Sequence, residues 1–300
     1  MNFRANISSV YVACAAIFWG ISGGIGGILT SGNWDPVMVS FYRGLIGLIF
    51  VLVWLAFRPQ ESGLKNHRLW FWSVLAGIGI AGNFAFYFIS IAEGSVSVAA
   101  TLMYCAPVFV YLVSFTIGLE SPTPLKWVAI TMVLAGIVLL TGIYKADAAD
   151  VTLLAAATGL LSGMSYAIFI FGFKYAAPHG SPQAILAIAF TVLAVILIFL
   201  SDKAQAMEVP LSPDFPLFIV LGILGAGLSF ILYVVGLNYT APAVASVVAM
   251  GEPVTASLFG VMFLGESLAV LQFLGMGLIL ITVTVLSVKS QYGRARSFRK

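Results

Sequence analysis

The chain has 300 residues, of which 61% are hydrophobic and only 8% charged, with a formal net charge of +3. Soluble domains carry about 25% charged residues, so a mean hydropathy of +1.08 excludes a water-soluble globular protein and makes the bilayer the solvent. Nothing in the charge distribution points to nucleic acid, and no stretch is long and polar enough for a separate soluble domain.

A spanning helix needs about 20 mainly apolar residues, and ten such runs follow one another. The first five are Ser8–Leu29, Pro36–Phe57, Leu69–Ile91, Ser95–Leu119 and Leu125–Ile143. The second five are Val151–Phe173, Pro182–Leu200, Phe215–Leu237, Ala241–Leu264 and Leu268–Val288. Arg4 ahead of the first run resembles a signal peptide, but the run continues past Cys14 to Leu29, as a retained helix does. From Phe215 to Gly251 there is no charge. One helix of that length would reach about 55 Å, against about 30 Å of hydrocarbon. Asn238-Tyr239-Thr240-Ala241-Pro242 supplies the turn chemistry that breaks it into a hairpin. The longest loop is Ser201 to Asp214.

With ten spans, one face collects Arg4, Arg58, Lys65, Arg68, Lys126, Lys174, Lys289, Arg294, Arg296, Arg299 and Lys300, while the other has only Lys145 and Lys203. Asp35, Glu93, Asp147, Asp150, Asp202, Glu208, Asp214 and Glu266 lie on that second face. The positive-inside rule therefore places both termini in the cytoplasm. The basic tail after Val288 reads as an orientation signal near lipid headgroups or as a partner-binding tail.

An offset of 146 relates the two halves: Pro36 to Pro182, Gly79 to Gly225, Phe84 to Phe230, Tyr87 to Tyr233, Val98-Ala99 to Val244-Ala245, Pro107-Val108 to Pro253-Val254, and Glu120 to Glu266. The expected fold is all-α integral membrane, with ten transmembrane helices as two five-helix inverted repeats, residues 1–146 and 147–300. Because five is odd, the second half enters the membrane upside down, an arrangement suited to alternating access.

These residues resemble the drug/metabolite transporter superfamily in its ten-helix EamA-type branch. The resemblance rests on Phe18-Trp19-Gly20, Ala106-Pro107-Val108, Leu119-Glu120 and Gly136, then Gly251-Glu252-Pro253-Val254, Leu264-Gly265-Glu266-Ser267 and Gly275. Leu119 stands where the family has glycine before the acid. Within the branch the chain looks most like bacterial exporters of aromatic and other amino acids (the YddG type). That implies a secondary transporter of the cytoplasmic membrane, no enzyme, with a cavity between helices one, three, four, six, eight and nine.

Charges at membrane depth are costly and default to functional hypotheses. Arg43 and Glu252 are two of these. Arg43 reads as a substrate-carboxylate contact or as a partner of helix ends or headgroups. Glu252 reads as a substrate-amine contact, a proton-coupling group, or a carboxyl that braces the helix bent at Pro253. Pro107 is the matching hinge candidate. Helical spacing aligns Gly79, Asn83, Tyr87 and Ser90 on the third helix, and Gly225, Ser229, Tyr233 and Gly236 on the eighth. Such stripes face another helix or a polar cavity. Trp19 and Ser22 on the first helix, Tyr104 on the fourth and Tyr166 on the sixth complete an aromatic lining for an amphipathic solute. Trp34, Trp54, Trp70, Trp72 and Trp127 fit the membrane interfaces instead. Gly20/Gly24 and Gly23/Gly27 allow close helix approach.

Gly77-Ile78-Gly79-Ile80-Ala81-Gly82 has the dinucleotide pattern but no strand before it. Two cysteines and two histidines give no metal or cofactor signal, and no catalytic pair is visible. Rival readings are export of drugs, nucleotide sugars or other metabolites on the same fold, a membrane enzyme, or a channel or structural membrane protein.

Overall fold

The computed structural model describes residues 3–57, 59, 62–145 and 152–297, and the side chains of 8–288 within that set. Arg58, Asp147, Asp150, Val151, Arg299 and Lys300 lie outside the described residues, as does the 146/147 boundary between the repeats. Among the described residues, ten helices are long and apolar enough to cross a membrane. They are span 1 (Ser8–Ser31), span 2 (Pro36–Phe57), span 3 (His67–Ala92), span 4 (Val96–Thr116), span 5 (Pro124–Thr141), span 6 (Leu153–His179), span 7 (Pro182–Leu200), span 8 (Phe215–Tyr239), span 9 (Pro242–Phe263) and span 10 (Val270–Val288). The protein is a multi-pass membrane protein whose fold is the ten-helix, two-repeat architecture.

Local chemistry explains the boundaries. Spans 2, 5, 7 and 9 each open on a proline, where a missing N–H costs nothing and φ is already helical. Thr123, Thr152 and Ser181 cap spans 5, 6 and 7 through backbone N–H donors at Lys126, Ala155 and Ala184. Span 8 ends at Tyr239 and span 9 starts at Pro242, so the charge-free run is a hairpin turning at Thr240-Ala241.

Two expectations need correction. Span 6 runs past Phe173 to His179, because Lys174 turns back into the protein and donates to the carbonyls of Leu237, Asn238 and Thr240 at 2.7, 3.2 and 3.1 Å. The stretch expected as a loop after Ser201 contains the helix Lys203–Glu208 and the 3-10 turn Val209–Leu211. Tyr42 donates to the Ala206 carbonyl at 2.6 Å and the Trp34 indole N–H to Asp214 at 2.9 Å, which straps this segment over the ends of spans 2 and 8.

The packing follows the repeat. Spans 3, 4 and 6 form one bundle, and spans 1, 8 and 9 form its counterpart. Span 2 packs on span 7 and span 5 on span 10, each pair joining the two halves. Gly20 and Gly24 bring span 1 against Thr255, Ala256 and Phe259 of span 9. The neighbouring pair does not act alike: a Cβ at Gly27 would meet nothing within 4 Å and one at Gly23 only Ala256 at 3.8 Å. Leu153, Phe199 and Val270 point outward, as side chains solvated by lipid do.

Candidate functional site

Spans 4 and 9 are each broken near their middles. Span 4 consists of Val96–Met103 and Ala106–Thr116, interrupted at Tyr104-Cys105. Span 9 consists of Pro242–Ala249 and Gly251–Phe263, interrupted at Met250. Tyr104 and Met250 are repeat mates, and each lies three residues before a proline, Pro107 or Pro253. A proline within the first turn of the following helix removes an N–H that would otherwise tie the two segments together. The breaks place the candidate hinges at equivalent depth in both halves.

Span 8 carries a different irregularity, a π-turn at Ile223–Leu228. Arg43, from span 2, donates Nε and Nη2 to the carbonyl of Gly225 within this turn, at 3.0 and 2.8 Å. A side chain at position 225 would strike Ser22 and the Arg43 guanidinium, so glycine lets the three elements meet. Two N–H groups of Arg43 are thereby used, and a guanidinium has five. The Arg43 guanidinium also stands over the Phe84 ring, 5.5 Å from its centroid.

Glu252 sits in the first turn of the second half of span 9. It lies within electrostatic range of Arg43, Tyr87, Tyr104 and Tyr166, so side chains from spans 2, 3, 4, 6 and 9 converge. Among the described residues Arg43 and Glu252 form no ion pair with each other, and the Glu252 carboxylate has no hydrogen-bond donor. Arg43, Phe84, Tyr87 and Glu252 remain partly accessible at this interior meeting point. Opposite charges held apart, reachable and flanked by aromatic faces, can bind the two ends of a small dipolar solute.

Beneath these groups lies a closed aromatic layer. Trp19 packs on Phe230 and Tyr233 with ring centroids 4.9 Å away in both cases. Tyr166 lies 4.4 Å from Phe169, which is 6.4 Å from Tyr233. Trp19 Nε1, Ser22 Oγ, Tyr166 Oη, Ser229 Oγ and Tyr233 Oη are buried without a partner among the described residues. Buried polar atoms are usually satisfied, and clusters of exceptions mark places where solute or water supplies the partner.

Asn83 behaves differently from the other predicted residues. Its amide donates to the Ser162 carbonyl and Oγ at 3.1 and 3.0 Å, and Ser162 Oγ donates back to the Asn83 carbonyl at 2.9 Å. Ser90 likewise donates to the Ala155 carbonyl at 2.7 Å. Asn83, Ser90 and Gly79 of the span 3 stripe thus pack or bond against span 6, while Tyr87 on the same stripe lies within electrostatic range of Glu252. Residue reading missed the π-turn, Phe84 as a cation partner and Lys174 as a tether. The run Gly225-Ala226-Gly227 was the signal available for the first.

The two faces of the molecule differ. On the face bearing both termini, Ala106–Thr116 packs along Pro242–Ala249. There Glu120 accepts from the Ala243 N–H at 3.0 Å and pairs with Lys126 at 2.8 Å. Among the described residues, the mates on the opposite face, Val96–Met103 and Gly251–Phe263, show no comparable packing. Accessibility agrees, since Phe84 and Tyr87 are partly exposed while their mates Phe230 and Tyr233 are 4% and 0% exposed. The structure is closed toward the termini and open toward the other side.

Inverted halves, broken central helices and a one-sided opening onto a polar meeting point define a membrane carrier. The EamA-like transporter family matches residues 6–142 and 153–288, one segment in each half. The chain belongs to the EamA-like transporter family. It is 26% identical over 289 residues to the uncharacterized transporter YwfM of Bacillus subtilis, covering 95% of each chain. It is 26% identical to the inner membrane transporter YedA of Escherichia coli, covering 85% of this chain and 83% of that one. The threonine/homoserine exporter RhtA of Escherichia coli is 26% identical over 205 residues, covering 68% and 66%. A solved crystal structure shares the fold, with a TM-score of 0.78 at 17% identity over 95% of this chain and 98% of that one.

Proposed function

We propose that this transporter exports amino acids, aromatic and other amphipathic ones, across the bacterial cytoplasmic membrane by alternating access. The observation that carries the reading is the meeting of Arg43 and Glu252 at membrane depth, electrostatically coupled yet unpaired, beside Phe84, Tyr87 and Tyr104. An amino acid presents a carboxylate and an ammonium on one carbon. The spare N–H groups of Arg43 suit the first and the Glu252 carboxylate suits the second. The aromatic faces suit an apolar side chain. The relative named as a threonine/homoserine exporter supports the amino acid class.

The basic residues on the terminal face support a cytoplasmic location for both termini under the positive-inside rule. In that orientation the described state opens outward. Pro107 and Pro253 serve as hinges where the half-helices swing, and Trp19, Ser22, Tyr166, Ser229 and Tyr233 meet the solute when the cytoplasmic side opens. Protonation of Glu252 supplies a route to proton coupling, since a neutral carboxyl releases an ammonium.

The test is counterflow. Purified protein in liposomes preloaded with unlabelled phenylalanine is given labelled phenylalanine outside, with threonine and other solutes as competitors. Saturable, trans-stimulated uptake above empty liposomes is expected. A folded, inserted protein that shows none with any amino acid in the panel rules out the amino acid assignment.

A further inference from the structure

The two acids that the repeat relates do different work in this state. Glu120 caps the start of span 9 by accepting from Ala243, the second residue of the helix Pro242–Ala249. The offset of 146 turns this contact into Glu266 accepting from Ser97, the second residue of the helix Val96–Met103. That contact is absent among the described residues. Among the described residues the Ser97 N–H has no acceptor, while the neighbouring Val98 N–H is taken by the cap Ser95. Glu266 is exposed and folds back over Gly260 at the end of its own span. A carboxylate without a partner and a helix-start N–H without an acceptor thus stand on the face that is open.

We propose that Glu266 is the latch of the opposite face: when that face closes, its carboxylate leaves Gly260 and caps span 4 at Ser97, while the Glu120–Ala243 cap opens. The inference rests on the alternating-access reading, in which each half takes the conformation its mate now holds. The physical basis is reciprocity. Helix starts carry unpaired N–H groups and partial positive charge, so a carboxylate delivered there forms a charge-assisted hydrogen bond.

The repeat also makes the two latches unequal. Lys126, the ion-pair partner of Glu120, has Gln272 as its mate, which is already bonded to the Leu140 carbonyl at 3.0 Å. Lys174, which holds the ends of spans 8 and 9, has Ile28 as its mate. At the three equivalent positions the opposite face has one acid, Glu266, where the terminal face has Glu120, Lys126 and Lys174. The state closed toward the termini is therefore the resting one.

Spin labels on V96C and S267C, in a C14S/C105S background and in lipid nanodiscs, read the opposite face directly, because both positions are exposed. Two separations are expected in the otherwise unaltered protein, with the shorter one the minority. E266A should lower the shorter population about tenfold, the effect of losing one charge-assisted hydrogen bond. E120A should raise it, and the double variant should fall between. An E266A distribution identical to that of the parent overturns the latch, as does a parent that shows counterflow while the labels never approach. A short population that E266A removes, in protein without counterflow, sustains the latch and removes the transport reading.

Discussion

Spans 3 and 6 form one long helix–helix seam, and spans 8 and 1 form its repeat-related counterpart. The first is laced by interhelical hydrogen bonds, with Asn83 and Ser162 exchanging three bonds and Ser90 holding Ala155, although Tyr166 Oη and Ser73 Oγ keep no partner among the described residues. In the second, Ser229 stands where Asn83 stands, and among the described residues its hydroxyl has no partner and Tyr233 and Trp19 keep unmatched polar atoms. The same seam holds the π-turn and the Arg43 contact. One seam is tied together by side-chain hydrogen bonds. The other carries buried polar atoms with partners to gain, as the solute-binding face proposed above requires. Duplicated folds can thus give stiffness to one copy and chemistry to the other.

The largest test of this contrast is Arg43→Ala. It removes the cation proposed to bind the solute carboxylate and leaves the Gly225 carbonyl without its donor, so counterflow should fall on the order of 100-fold, matching about 3 kcal/mol for charge-assisted bonds. Arg43→Lys should recover only part, since an ammonium cannot reproduce the forked contact to Gly225 and the solute. Glu252→Gln comes next, with a loss of about tenfold in counterflow for an amino acid. A solute lacking the ammonium should lose much less, and competition by phenylpropionate against phenylalanine measures the difference.

Asn83→Ala should cost about 1–2 kcal/mol of stability, the range for interhelical hydrogen bonds in membranes plus the Ser162 groups left bare. Unfolding in detergent measures it, and transport per folded molecule should hardly change. Ser229→Ala should be the smallest effect, between neutral and about 1 kcal/mol stabilising, because a buried hydroxyl without a partner is removed. Equal destabilisation by the two alanines would erase the distinction between the seams.

Much of this was legible in the residues. The span at Ser8, the hairpin at Thr240 and the proline starts at Pro36 and Pro182 follow from hydrophobic length and turn chemistry, which are local. The offset of 146 followed from Pro, Tyr and Glu matches. The stripe on span 3 was less readable. Asn83 and Tyr87 share one helical face, yet one bonds Ser162 and the other faces Glu252. Spacing fixes which residues share a face, and the neighbour's shape decides which of them is consumed by it. The loop expected after Ser201 contains a short helix that Asp202 caps locally and that Tyr42 and Asp35 hold from distant positions, with Asp35 donating its N–H to Gln205 at 2.9 Å.

The sequence by itself determined that the chain lives in a bilayer, crosses it ten times, and does so as two inverted halves, because burial in hydrocarbon demands long apolar helices and duplication leaves its spacing in the residues. Only the tertiary structure decided that Arg43 takes the carbonyl of a π-turn, that Asn83 is glue, and that the molecule is closed on one face. Those depend on contacts between residues more than 100 positions apart for Arg43 and Glu120, and no local pattern encodes which of two equivalent states such contacts hold.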